Sequence, residues 1–366
     1  MARSRRDDEV FKNAMTGLPH AKSSTKAHAS PKELPIASPS ASILLISPTN
    51  RILLLHRVRT STSFASAHVF PGGHVSPQDG PLPPPTSPSR HIDSLPYRHA
   101  AIRECFEESG ILLAHDRNSS PTSLLSLPTP DLEAGRKAIH SETIPFTSWV
   151  SQRNGIIDTA NLIPFTRWLT PGNLAKRFST QMYLYFLPLS DSSSLSPETD
   201  KTTQMHIPTP DGGIEHTAAQ FLYPSEWLDL SIRGEIVLYP PQFFLLHLIS
   251  AYLKPPPPSS PVPTTKQLDA QRKQLLEFVL KDGDPPWGEK CISPTPLKRI
   301  ENGRILIMGM GDAGPEVEGT GRRGDRERVL KVELMGDVER GRKRPSPREV
   351  VWRRDVFVEE KEKARL

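Results

Sequence analysis

Between residues 103 and 111 the chain reads Arg103-Glu104-Cys105-Phe106-Glu107-Glu108-Ser109-Gly110-Ile111. Three carboxylates and one guanidinium fall within six positions, closed by a glycine. On a helix Glu104, Glu107 and Glu108 stand at i, i+3 and i+4 and share one face. Like charges placed this way repel by roughly a few tenths of a kcal/mol per pair. A hard divalent cation reverses the sign of that effect, because Mg²⁺ and Mn²⁺ prefer oxygen ligands. An acidic helix face on its own is usually solvated surface, so the flanking residues decide. Upstream stand Val69-Phe70-Pro71-Gly72-Gly73 and then Asp79; downstream, the apolar run Ile111-Leu112-Leu113 follows Gly110. This order predicts a loop–helix–loop: a glycine turn, an acidic helix and a glycine stop.

The constellation resembles the Nudix hydrolase family, whose pattern is G-x5-E-x7-R-E-U-x-E-E-x-G-U, with U a bulky apolar residue. Gly73 matches the first glycine, and Arg103-Glu104, Glu107-Glu108, Gly110 and Ile111 match the helix half. Two residues depart from the pattern: Asp79 stands for the first Glu, and Cys105 takes an apolar position. The x7 spacer has grown to 23 residues, Gly80 to Ile102, and includes Pro81-Leu82-Pro83-Pro84-Pro85. We read a Pro-rich insertion at 80–97 as an exposed loop. Such growth is tolerable because closure cost rises slowly with loop length. Apolar runs at Ile43–Ile46 and Ile52–Leu55 read as a hairpin about Ser47-Pro48-Thr49-Asn50, and Arg177–Phe186 reads as a strand. Together with the enlarged spacer, their order resembles the split-box subgroup that includes peroxisomal coenzyme A diphosphatases.

The resemblance implies an α/β Nudix fold over residues 36–255, a mixed β-sheet sandwiched between helices. It implies a metal-dependent pyrophosphohydrolase acting on a small-molecule nucleotide substrate: coenzyme A or acyl-CoA, yielding 3′,5′-ADP and a phosphopantetheine product. NADH, ADP-ribose and capped RNA are the alternatives within the class. A catalytically silent nucleotide-binding module is the alternative outside it. Glu104, Glu107 and Glu108 are the expected ligands of Mg²⁺ or Mn²⁺, and Arg103 is expected to orient a carboxylate through its fork. The general base is open between Glu104 and Glu215. Arg57 and Arg59 are expected at the substrate phosphates, and Gly72 and Gly73 at the tight turn before the helix.

Composition is compatible with these expectations. The formal charge of +5 suits an anionic substrate without calling for nucleic acid. Two cysteines, Cys105 and Cys291, make no disulfide framework, and no apolar stretch is long enough for a membrane span. Residues 1–35 are polar and are expected to be disordered. Residues 256–366 read as a linker, a short amphipathic helix over 265–281, and a β-rich C-terminal appendage. The chain ends in Ala364-Arg365-Leu366, which resembles a peroxisomal targeting tripeptide. A peroxisomal import receptor is therefore an expected partner, and the peroxisome the expected compartment.

Overall fold

The computed structural model describes residues 34–58, 66–118, 123–189, 216–337 and 342–357. Its elements run β1 (Ser38–Ile46), β2 (Ile52–Arg57), β3 (His68–Val69), β4 (Gly72–His74), α1 (Leu95–Ser109) and β5 (Ala114–Asp116). Next come α2 (Thr129–His140), α3 (Phe146–Ser151), β6 (Gly155–Ile157), β7 (Ile163–Leu169), β8 (Phe178–Phe186) and β9 (His216–Leu222). The last third holds α4 (Pro224–Ile232), α5 (Pro240–Ser250), α6 (Thr265–Lys281), β10 (Cys291–Ile292), β11 (Thr295–Ile300), β12 (Ile305–Met310), β13 (Asp325–Asp337) and β14 (Arg342–Trp352).

A mixed eight-stranded sheet has the order β10-β7-β8-β1-β2-β3, with β4 paired to β1 and β9 to β2. Strands β1 and β8 run parallel over their full length, Ser38 opposite Phe178 and Ile46 opposite Phe186. Alternation in β1 explains why this pair lies at the centre. Leu44 and Ile46 serve one apolar cluster, Ile43 and Leu45 the other, and all four are fully buried. A strand with a two-residue period and apolar residues at both phases must be covered on both faces. Helices α1, α2 and α3 close one face through Phe106, Ile139 and Trp149. Helices α4, α5 and α6 close the other through Trp227, Phe244 and Phe278.

The insertion between Asp79 and α1 leaves and returns at one point, since a Cβ on Gly80 would lie 3.2 Å from Pro96. Pro84, Pro85 and Thr86 are exposed along it. The excursion is nevertheless anchored: His91 is buried, and its Nδ1 lies 2.8 Å from Ser179 Oγ on β8. Burial first, and then the nearby Arg167 charge, push the His91 pKa down to about 4, so the ring is neutral at pH 7. Proline in the first turn of α1 is tolerated because that N–H has no intrahelical acceptor.

The β-rich extension forms a four-stranded antiparallel sheet, β11-β12-β13-β14. It shares the core: Leu306, Met308, Leu330 and Val332 belong to the same buried cluster as Leu44 and Leu184. Each such side chain contributes about 1.5–3 kcal/mol on burial, which ties the second sheet to the first. Strand β10 continues the main sheet parallel to β7 and delivers the chain to β11 across two intervening residues. Helix α6 begins with a Thr264–Gln267 capping box. Its buried Arg272 donates to Asn50 Oδ1 (2.7 Å), Ser47 O (2.7 Å) and Leu187 O (2.8 Å). The turn between β1 and β2 is thus held by a residue more than 200 positions away. Among the described residues no helix is long and apolar enough to cross a membrane. Residues 1–33, most of the segment read as disordered, lie outside the described residues.

Candidate active site

Helix α1 carries the site and ends as its glycine predicts. Gly110 adopts a left-handed conformation (φ 76°), and its N–H donates to Phe106 O. Glu104 and Glu108, one turn apart, line a cleft of about 370 Å³. The opposite lip is β4, where Gly72 has backbone in place of room for a side chain and Gly73 lies against the Glu104 carboxylate. A Cβ on Gly73 would stand 2.5 Å from Glu104 Cδ, and one on Gly72 would stand 2.4 Å from Ala41 O. The Gly72 N–H donates to Glu108 Oε2 at 2.8 Å, so backbone fixes that carboxylate's rotamer.

Arg103 is the hub behind the cleft. Its Nε and Nη2 make a two-pronged pair with Asp79, both at 2.9 Å. Its Nη1 donates to Glu104 Oε1 (2.9 Å) and Glu107 Oε1 (2.8 Å), and Nη2 also donates to His74 O (2.8 Å). The enlarged spacer has therefore not cost Asp79 its partner. Burial alone would lower the Arg103 pKa; the Glu104, Asp79 and Glu107 carboxylates outweigh it and raise it above its ordinary value. One guanidinium faces three carboxylates, 1 − 3 = −2, before Glu108 is added. Carboxylate oxygens gathered in this way are the donors a hard divalent ion takes.

The expected site residues divide as follows. Glu104, Glu108, Arg57, Gly72 and Gly73 line one cleft. Glu107 is set apart from it: one oxygen lies on Arg103, and the other is 3.3 Å from His140 Nδ1. Its position on α1 lets the guanidinium draw it sideways, so Glu104 and Glu108 meet the cleft without it. Among the described residues no group of three or more His, Cys, Asp or Glu side chains is disposed to hold a metal ion. A Mg²⁺ site commonly uses one or two carboxylates and completes itself with water and substrate phosphates. The Glu104–Glu108 pair fits that requirement. Arg59 and Glu215 lie outside the described residues.

His216 was not among the expected residues. It is fully buried on β9, with Nε2 3.6 Å from Glu108 Oε1. Nothing local in the sequence marks it, because its partner Glu108 lies 108 positions earlier in the chain. Lys176 and Trp168 also line the cleft. Tyr183 and Tyr185 turn to the other face, where their hydroxyls donate to Asp93 and Asp158.

Residues 86–249 match the family model described as the NUDT19 Nudix domain. The chain is 31% identical over 213 residues to "Putative nudix hydrolase 7" of Caenorhabditis elegans, covering 58% of this chain and 60% of that protein. It is 28% identical over 240 residues to the acyl-coenzyme A diphosphatase NUDT19 of Gallus gallus, covering 53% of this chain and 60% of that protein. The chain thus spans about 60% of the length of these curated relatives. Among solved structures, a NUDIX hydrolase from Alicyclobacillus acidocaldarius overlays with a TM-score of 0.46 and 19% identity, over 61% of this chain and 95% of that one.

Proposed function

We propose that this chain, which belongs to the Nudix family, is a metal-dependent pyrophosphohydrolase whose substrate is coenzyme A or acyl-CoA. One observation carries the reading. Glu104 and Glu108 share a cleft, Arg103 pairs with Glu104 behind it, and the lip beside them is Gly72, with no room for a side chain, and Gly73.

In this reading Glu104 and Glu108 hold Mg²⁺ or Mn²⁺, while Glu107 acts through Arg103 rather than as a direct ligand. When bound, the cation supplies charge neutralisation at the phosphate oxygens and makes water more acidic. The Gly72 N–H keeps Glu108 turned toward the cleft. Arg103 Nη1 donates to Glu104 Oε1 and so positions this carboxylate, which would orient water and accept its proton. Glu215 is the alternative base. Arg57 and Lys176, on the cleft wall, bring positive charge to an anionic substrate. Water adds to one phosphorus, the bridging P–O bond breaks, and the products are 3′,5′-ADP and the (acyl)phosphopantetheine.

The choice of substrate rests on two supports. A relative bears the name acyl-coenzyme A diphosphatase. The cleft also joins an acidic end to a wall built from Trp168, Phe178 and Met182, which suits a ligand that is ionic at one end and apolar at the other. Purified chain with Mg²⁺ or Mn²⁺ is expected to release 3′,5′-ADP from CoA or octanoyl-CoA faster than it cleaves NADH, ADP-ribose or a cap analogue. Faster turnover of one of the latter would reassign the substrate, and no turnover of any would favour a nucleotide-binding module.

Peroxisomal location and import-receptor binding are proposed from the sequence alone, since Ala364, Arg365 and Leu366 lie outside the described residues. They apply to a chain whose carboxyl end is Leu366. Deleting Leu366 is expected to leave a tagged chain diffuse in cells; continued punctate import would end the proposal.

A further inference from the structure

The cleft that holds Glu104 and Glu108 is walled in part by residues beyond the matched family domain, which ends at residue 249. Pro294, Pro296 and Met308 come from the β-rich extension and face the same space. The topology dictates this arrangement. Ile292 on β10 pairs with Trp168 on β7, so the chain enters the second sheet beside the tryptophan of the cleft. After two intervening residues β11 begins, and Pro296 stands opposite Met308 of β12. Pro294 is buried and Met308 only 3% exposed, which marks a packed wall rather than a loop lying over an opening.

We infer that the wall formed by Pro294, Pro296 and Met308, with Trp168 and Met182, is the subsite for the apolar acyl group of the substrate, so that the C-terminal sheet sets acyl specificity. The inference rests on the reading of the site as an acyl-CoA hydrolase and adds to it the residues that select the chain. Solvation decides which end of the substrate lies on this wall. The 3′-phospho-ADP end is polyanionic, and laying it on proline, methionine and tryptophan would strip its hydration with no donor in return. An acyl chain loses water there at a gain roughly proportional to the area covered. With the pyrophosphate at Glu104 and Glu108, the apolar wall receives the tail.

The test uses the full chain, its Pro296→Glu variant and its Met308→Ala variant, with free CoA and octanoyl-CoA. Both kcat/KM and equilibrium affinity are measured, with a thermal melt for each variant. Pro296→Glu places a charge on the wall and is expected to lower octanoyl-CoA kcat/KM and affinity about tenfold or more, while free CoA stays within about twofold. Met308→Ala removes contact area without adding charge. It is expected to weaken octanoyl-CoA selectively by about threefold to tenfold, and it answers the question should Pro296→Glu not fold. Equal loss for both substrates, or no change for either, overturns the inference. If the parent chain turns over neither substrate yet binds octanoyl-CoA more tightly than CoA, with that preference lost in the variants, the wall stands and the hydrolase reading falls. If it hydrolyses both without preference and the variants change nothing, the hydrolase reading stands and the wall falls. Binding and hydrolysis of neither overturns both.

Discussion

Replacing Glu108 by glutamine is expected to lower metal-dependent turnover by about 10³-fold or more while leaving the fold intact. The amide oxygen of glutamine can still accept from the Gly72 N–H, so the contact at 2.8 Å that positions the side chain survives. What disappears is one full negative charge from a cleft in which, among the described residues, Glu104 and Glu108 are the lining carboxylates. Charge stabilisation by a catalytic metal amounts to several kcal/mol, and each 1.36 kcal/mol is tenfold in rate. The comparison is kcat at saturating Mg²⁺ for parent and variant, alongside their melting midpoints. A variant that keeps its midpoint and loses less than tenfold would remove Glu108 from the metal site.

Arg103→Ala acts on stability instead, and the expected loss is roughly 3–5 kcal/mol. Asp79 is 3% exposed and both of its oxygens rest on this one guanidinium. Without it the buried Asp79 carboxylate loses its cationic partner, and the Glu104 and Glu107 carboxylates lose the cation that screens them from each other. The desolvation already spent on Asp79 is then uncompensated, which is why removing one member of a buried pair costs more than the pair contributes. Arg103→Lys should recover only part of the loss, because an ammonium cannot span two oxygens of Asp79 while reaching Glu104, Glu107 and His74 O. Urea unfolding reads both variants through the shift in midpoint at unchanged slope. A loss under about 1 kcal/mol for Arg103→Ala would show that Asp79 is satisfied by its other contacts, the Ser76 N–H at 2.8 Å among them.

The two predictions differ in how visible their grounds are in the sequence. Glu104, Glu108, Gly73 and Gly110 were readable because each belongs to a local rule. Helical spacing places the two acids on one face, and a glycine can end a helix in the left-handed region. Helix α6 was readable over 265–281 for the same reason, and the two-sided burial of β1 follows from its uninterrupted apolar run. The importance of Asp79 was not readable. Its partner lies 24 positions on, across an insertion whose ends come together only when Gly80 packs on Pro96. His216 beside Glu108 and Arg272 in the β1–β2 turn were hidden in the same way. Their partners stand 108 and more than 200 positions away, and no period or cap links such pairs in a linear chain.

The sequence by itself therefore determined the helix that carries the acids, the turn before it, and the strands that must be buried on both sides. Backbone sterics and side-chain periodicity act over a few residues and leave their marks there. Tertiary structure alone decided that Glu107 stands apart from Glu104 and Glu108, and that the C-terminal sheet shares the main core and walls the cleft. Those outcomes depend on which apolar surfaces meet across long separations, and burial is non-directional: a sequence can show that a surface must be covered without showing what covers it.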